Sequence, residues 1–318
     1  MNFYKDKKVL VAGGAGFIGS NLILKLLTSG AHVRAADVKE KPQIKDSRIE
    51  YIKADFLKKE DCQKAVEGIE YVFMVAANTS GAAVMEKTPL VHVTPNIIMN
   101  SQILEASYSA GVKKFLFVSS NTVYPVQDTP VKETDMKYGD VFYKYYFVAW
   151  MKQFSEVLCE MYTKVKNPMK TVVVRPANSF GPYSDFDPAT SHVIPALMKK
   201  VVERQNPLEV WGDGLDIKDF ICVEDLVEGM LLAMEKIETF DPINLATGRP
   251  CTVKEILQHL LKIENYQDAK VVFDTSKPTM IPKRLIDAKK AKEVLGFEAT
   301  TPLEEGLKKT IEWYKSTI

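Results

Sequence analysis

Val9-Leu10-Val11-Ala12-Gly13-Gly14-Ala15-Gly16-Phe17-Ile18-Gly19-Ser20 is the stretch whose reading decides the fold. An aliphatic run ends in glycines and gives way to an amphipathic segment, the pattern of a strand that turns tightly into a helix. In such a turn Gly13 supplies backbone freedom, Gly16 lets the main chain approach a pyrophosphate, and Gly19 allows the helix to pack close on the strand. Phe17 and Ile18 open the helix, where free N–H groups and the positive end of the dipole suit a diphosphate. A glycine pattern alone is weak evidence, but here a second apolar strand follows and ends at Asp37, 18 residues beyond Gly19. A carboxylate at that place accepts hydrogen bonds from both hydroxyls of a ribose and repels a 2′-phosphate. NAD is therefore expected in preference to NADP. Arg34 falls on the opposite face of the same strand by alternation, so it is not expected to clamp a phosphate.

The rest of the first half alternates short apolar runs with longer amphipathic ones, the order of parallel strands joined by crossover helices. Strands are expected at Lys8–Ala12, His32–Asp37, Tyr71–Val75, Lys114–Ser119 and Thr171–Arg175, and helices at Asn21–Ser29, Asp61–Glu67, Asn96–Ala110 and Ala149–Thr163. This predicts an α/β protein with a Rossmann-type, doubly wound parallel sheet. After Arg175-Pro176 the texture changes, with Pro, Asp and Gly clustered at Gly181-Pro182-Tyr183-Ser184-Asp185 and Trp211-Gly212-Asp213-Gly214. The division expected is a nucleotide-binding domain over residues 1–176 and a smaller substrate-binding lobe over 177–318, some of whose segments return to the first domain.

Bulk properties narrow the partners. With 318 residues, 46% hydrophobic and 26% charged, the chain can bury a large core, and its formal net charge of +1 leaves no surplus to gather nucleic acid or an anionic membrane. Cys62, Cys159, Cys222 and Cys251 are far apart and make no C-x-x-C pair, so reduced thiols and no metal are expected. The run Met1-Asn2-Phe3-Tyr4-Lys5-Asp6-Lys7-Lys8 leads into a strand without an apolar leader, and no run of about 18 apolar residues occurs. A cytoplasmic protein is expected.

Further along the chain stand Ala54-Asp55-Phe56, Val75-Ala76-Ala77, Asn96, Val118-Ser119-Ser120-Asn121-Thr122-Val123-Tyr124 and Arg175-Pro176-Ala177-Asn178-Ser179-Phe180-Gly181-Pro182. With the glycine loop these resemble the NAD-dependent epimerase/dehydratase family, the extended branch of the short-chain dehydrogenases, over nearly the whole chain. The resemblance implies that Asp55 and Phe56 meet the adenine and that Ala76 and Ala77 line the cofactor. It also implies a homodimer through the Asn96–Ala110 and Ala149–Thr163 helices. In the family a serine and a Tyr-x-x-x-Lys pair carry the chemistry, the tyrosine taking a proton from the sugar while C4–H leaves as hydride. Ser120 matches the serine and Lys152 the lysine, but the tyrosine position, four residues before Lys152, holds Val148. Valine moves no proton. Upstream lies Phe142-Tyr143-Lys144-Tyr145-Tyr146-Phe147, and Tyr145, three residues before Val148, shares its face if the helix extends that far. Tyr145 is thus one candidate acid/base, a water or another side chain a second, and a protein without turnover a third.

Asn121-Thr122 stands where the family's sugar dehydratases carry an Asp-Glu pair, and Thr122 replaces the cysteine of the 3,5-epimerising relatives. Threonine is too weak an acid for that role. The motif looks like that of the 4-epimerases, whose redox-neutral cycle suits retained NAD. On the substrate side, Asp185-Phe186-Asp187-Pro188-Ala189-Thr190-Ser191-His192-Val193-Ile194-Pro195-Ala196-Leu197 resembles the GDP-fucose synthases, with His192 as acid or sugar contact and Val193 beside it. Asn178 resembles a sugar-phosphate contact. Lys218 replaces a diphosphate-gripping arginine and loses its bidentate fork, and Arg284 matches a basic residue near the nucleotide. The reading is an enzyme acting at C4 of a nucleotide sugar, a GDP-sugar favoured, by 4-epimerisation. The alternatives are a 4-keto reductase, a 3,5-epimerase, or an NAD-binding protein without turnover.

Overall fold

The computed structural model describes residues 2–79, 84 and 87–318. The first half runs β1 (Lys8–Ala12), α1 (Phe17–Thr28), β2 (His32–Asp37), β3 (Ile49–Lys53), α2 (Lys59–Val66), β4 (Tyr71–Met74), α3 (Thr94–Ser109), β5 (Lys114–Val118), α4 (Tyr146–Thr163) and β6 (Lys170–Pro176). The expected strands and helices are present, their ends moved by a few residues. The strand β3 is additional. Ile49-Glu50-Tyr51-Ile52-Lys53 is half polar and pairs only with β2, as an edge strand does, so it lacks the apolar run that marks a central strand.

The second half contributes β7 (Asn178–Phe180), α5 (Val193–Val202), β8 (Leu208–Trp211), β9 (Ile217–Lys218), β10 (Phe220–Cys222), α6 (Val223–Lys236), β11 (Ile243–Leu245), β12 (Cys251–Thr252), α7 (Val253–Ile263), β13 (Val271–Asp274), β14 (Lys283–Arg284) and α8 (Leu303–Lys315). Of these, β11 crosses back and pairs parallel with β6. The seven-stranded sheet then has the order β11-β6-β5-β4-β1-β2-β3, with every pair parallel. The fold is the expected doubly wound α/β sheet, joined by a smaller C-terminal lobe.

Alternation along the strands builds two cores. Val9 and Val11, Leu116 and Val118, and Val172 and Val174 face α1 and α6 on one side, packed with Leu22, Leu26, Leu226 and Met230. Leu10 and Ala12, Phe115 and Phe117, and Val173 face α2, α3 and α4 on the other, with Cys62, Ile103 and Cys159. Each such side chain removed fully from water is worth roughly 1.5–3 kcal/mol, which is why a parallel sheet needs helices on both faces. The smaller lobe has its own core, in which α5, α7 and α8 close over the short strands through Met198, Val210, Phe220, Leu260 and Ile311. A reciprocal cap fixes the start of α7, where the Thr252 hydroxyl accepts from the Glu255 N–H at 3.1 Å and the Glu255 carboxylate accepts from the Thr252 N–H.

The strand order reverses between β1 and β4, and the ends of these two strands open the crevice in which doubly wound sheets bind ligands.

Candidate active site

The glycine loop lies at that reversal. Gly13 and Gly14 donate to the Ala36 carbonyl at 2.8 and 3.1 Å, which ties the turn to β2. Gly13 has φ +93°, and a Cβ on it would lie 2.5 Å from the Ala76 nitrogen. A Cβ on Gly19 would lie 2.1 Å from the Gly13 carbonyl oxygen. Both glycines are thus required by the protein's own packing. Gly16 differs, since a Cβ there meets only the Gly13 oxygen at 3.2 Å. Its outer side is open, as a cradle for a diphosphate demands. No side chain caps α1 and no acidic residue lies in its first turn, so the N–H groups beginning at Phe17 and Ile18 remain for an anion.

Asp37 is buried at the end of β2, and its two carboxylate oxygens accept from the Ala15 and Lys39 N–H groups at 3.0 and 3.1 Å. Each oxygen keeps a lone pair, so the carboxylate both braces the loop and can still receive ribose hydroxyls. Arg34 points away as expected: its guanidinium donates to the Ala65 and Glu67 carbonyls at the end of α2. Beyond β4, Ala76 is half-buried against Gly13 and Ala77 is exposed. Asp55 is half-buried, whereas Phe56 turns its ring into the core beneath α2 and α3. These features fit NAD: an open glycine cradle, an uncapped helix end and a ribose-side carboxylate.

At the end of β5 a second group converges. The Ser120 Oγ accepts from the Thr122 N–H at 3.1 Å and keeps its own proton to give. The Thr122 hydroxyl is buried and has no partner among the described residues. Lys152 extends from α4 to donate to the Val118 carbonyl at 2.8 Å, its ammonium 4.8 Å from the Phe117 ring centroid. Burial pulls its pKa down to about 8, against the attraction of Glu156. Next to it lies a buried network the sequence reading did not assemble. Arg175 meets both Glu156 oxygens at 3.0 and 2.6 Å and the Tyr124 hydroxyl at 3.0 Å. Ser119 donates to Glu156, and Tyr124 to Asn244 at 2.6 Å. This network locks the end of β5 to α4, and so holds Ser120 and Lys152 in register.

Other expected residues are placed differently. Helix α4 begins at Tyr146 after a 3₁₀ turn over Tyr143–Tyr145, and Tyr145 packs beside Val148, as its spacing required. Burial pushes its pKa up to about 12, opposed by the Ile281 backbone and the Arg284 charge and assisted by Asp216; Lys152 is not among the groups that reach it. Arg284 is only 2% exposed and donates to the Pro125 and Tyr124 carbonyls at 2.8 and 3.1 Å. It is turned inward, where these two bonds hold the loop after Ser120. Lys218 is half-buried and paired with Asp216 at 3.0 Å. In this way Tyr145, Asp216, Lys218 and Arg284 gather on one wall.

Across the crevice, His192 precedes α5 with Val193 as the first helical residue. His192 is exposed, yet desolvation by the surrounding chain lowers its pKa, opposed by Asp185. Asn178 is half-buried at the start of β7, beside this lobe. His92 itself escaped the sequence reading. It carries no motif, and only the fold turns it beneath Val148, with which it shares a small cavity.

The class this arrangement defines is a dinucleotide-binding α/β enzyme of the short-chain dehydrogenase type, with a serine and lysine set at the end of β5. The profile of the NAD dependent epimerase/dehydratase family matches residues 9–246, and the chain belongs to that family. It is 30% identical to the GDP-L-fucose synthase of Escherichia coli K12, over 97% of this chain and 96% of that one. It is 28% identical to the probable GDP-L-fucose synthase 1 of Oryza sativa subsp. japonica, over 100% and 95% of the two chains. Among solved structures, the UDP-glucose 4-epimerase of Thermotoga maritima with UDP-glucose superposes with a TM-score of 0.87 at 31% identity, covering 97% of this chain and 99% of that one. The chain is thus a nucleotide-sugar epimerase or reductase by kinship, and NAD is the cofactor of its family.

Proposed function

We propose that the protein interconverts C4 epimers of a GDP-sugar by oxidation at C4, inversion of the keto sugar and return of the hydride. The observation that carries this reading is Asp37, a buried carboxylate beside the glycine loop, which favours NAD over its 2′-phosphorylated form. Retained NAD suits a cycle with no net redox change. NAD, when bound by the glycine loop and Asp37, supplies the acceptor and later the donor of the hydride. Ser120 donates a hydrogen bond to the C4 oxygen and orients it. The Lys152 ammonium holds the nicotinamide ribose and stabilises negative charge developing on that oxygen, which a desolvated site amplifies. Asn178, His192 and Val193 receive the sugar phosphate from the smaller lobe. Kinship with GDP-L-fucose synthases and the Asp185–Leu197 segment support guanosine as the base.

Net 4-keto reduction, with or without 3,5-epimerisation, is a second reading. The relatives named GDP-L-fucose synthases favour it. The two readings separate on product. Incubated with GDP-mannose, GDP-fucose or UDP-glucose and catalytic NAD, the protein is expected to yield a C4 epimer by proton NMR without net absorbance change at 340 nm. Consumption of stoichiometric NADH with a 4-keto GDP-sugar would establish the reductase. Absence of product from every nucleotide sugar would leave an NAD binder without turnover.

An exposed row on α4, Tyr146, Phe147, Trp150, Phe154 and Met161, supports a homodimer through this helix. Four free thiols, three of them buried, support a reducing compartment such as the cytoplasm. Among the described residues no helix is long and apolar enough to cross a membrane.

A further inference from the structure

With valine at the tyrosine position, the proton of the C4 hydroxyl needs another acceptor. Tyr145 has Arg284 and the Ile281 backbone beside its hydroxyl in place of Lys152, and Lys152 as an ammonium has no lone pair. The cavity that Val148 lines is bounded by Pro89, His92, Lys144 and Phe147. Of these, Lys144 is engaged with the Thr279 carbonyl at 2.6 Å. His92 remains.

Its ring is 1% exposed, and Nδ1 lies 3.1 Å from the Asn78 carbonyl oxygen. A carbonyl oxygen can only accept, so Nδ1 carries the proton of the neutral ring and Nε2 carries the lone pair. Asn96 fixes the arrangement: its amide donates to the Asn78 and His92 carbonyls at 2.9 and 2.7 Å, while its oxygen accepts from the Asn78 N–H at 2.8 Å. The ring is thus oriented through Asn78, directly after the expected cofactor contact Ala77. Nε2 is buried and finds no hydrogen-bond partner among the described residues. Buried ring nitrogens seldom stay unpaired, and a bound ligand is one partner that would satisfy this one. The cavity it shares with Val148 ties it to the family's tyrosine position. Val148 lies four residues before Lys152 on the same face of α4.

We propose that His92 Nε2 takes the proton of the sugar C4 hydroxyl, standing in for the tyrosine that this chain lacks. The inference rests on the C4 chemistry proposed above. The O–H proton passes to Nε2, the C4–H bond breaks with its electron pair going to the nicotinamide, and the C4–O single bond becomes a carbonyl. The same nitrogen returns the proton when the hydride comes back. Oxidant and reductant are the two forms of one cofactor, so the cycle balances.

The test begins with His92→Phe, which keeps ring volume and removes both nitrogens. Calorimetry is expected to find NAD and GDP-sugar affinities within about threefold of wild type, while turnover falls at least about a hundredfold, the scale of a lost general base. Adding Val148→Tyr to that variant restores the phenol four residues before Lys152, and turnover is expected to recover at least about tenfold. If His92→Phe does not fold, ¹⁵N-histidine NMR of the wild type decides instead. The unprotonated Nε2 resonance of His92 is expected to move on addition of GDP-mannose or GDP-fucose and to stay put with GDP alone. Turnover unchanged in His92→Phe, no recovery in the double variant, or an Nε2 signal indifferent to the sugar would each overturn the role of His92. Those outcomes in an active wild type leave the C4 reaction standing, whereas a wild type inert toward every nucleotide sugar removes that reaction itself.

Discussion

Lys152 shows how one buried group sets the terms of the site. Its ammonium is desolvated, with one carbonyl to bond and an aromatic face beside it, and its pKa falls from 10.5 to about 8. Because the folded value lies below the unfolded one, the unfolded chain binds more protons between these two limits, and the fold gains stability as pH rises through them. Lysine charged in both states costs the apoprotein about 3 kcal/mol at neutral pH, and that cost disappears by about pH 10.5. Lys152→Met, similar in bulk and uncharged, removes the titration. The apo stability advantage of Lys152→Met over wild type is therefore expected to shrink steadily from pH 8 to pH 10, measured by urea unfolding. A difference that is flat with pH would show that Lys152 is not desolvated. Asp37 illustrates the opposite economy, since backbone N–H groups surround its charge and let it stay buried.

At the scale of an element, α4 does separate jobs on separate faces. Lys152 and Glu156, one turn apart, point inward to Val118 and to Arg175, while Tyr146, Trp150 and Phe154 recur at the same spacing on the outside. Apolar side chains left in a row on one helix suit a second copy of that helix. Trp150→Glu together with Phe154→Glu is expected to convert a dimer to a monomer in light scattering at micromolar concentration, without loss of the fold by circular dichroism. A wild type that is already monomeric at that concentration removes the dimer. Elements were legible in the sequence to the extent that one face is wholly apolar. The central strands β1, β5 and β6, covered on both sides, stood out, whereas β3 is half polar because it is an edge. Strand β11, three residues long, joins the sheet only through its pairing with β6.

On the scale of the whole molecule, the crevice at the strand reversal lies along the sheet edge at which β1, β2 and β5 end, the edge that carries the glycine loop, Asp37 and Ser120. Ligand that fills it stabilises the fold by mass action, about 2.7 kcal/mol at a hundredfold excess over Kd. NAD is expected to raise the melting temperature more than NADP at equal concentration, consistent with a preference of at least about tenfold, or 1.4 kcal/mol. Asp37→Ser is expected to narrow that gap. Equal shifts in the wild type would take Asp37 out of cofactor selection.

By itself the sequence determined the doubly wound sheet, the glycine loop between β1 and α1 and the acidic residue that ends β2. Each of these is written in residues a few positions apart or in a repeating alternation, where backbone geometry leaves little choice. Only the tertiary structure decided that Arg284 faces inward, that Tyr145 answers to Arg284 and Asp216, and that His92 shares a cavity with Val148. Desolvation and charge depend on neighbours brought from distant parts of the chain, and no local pattern records which neighbours those are.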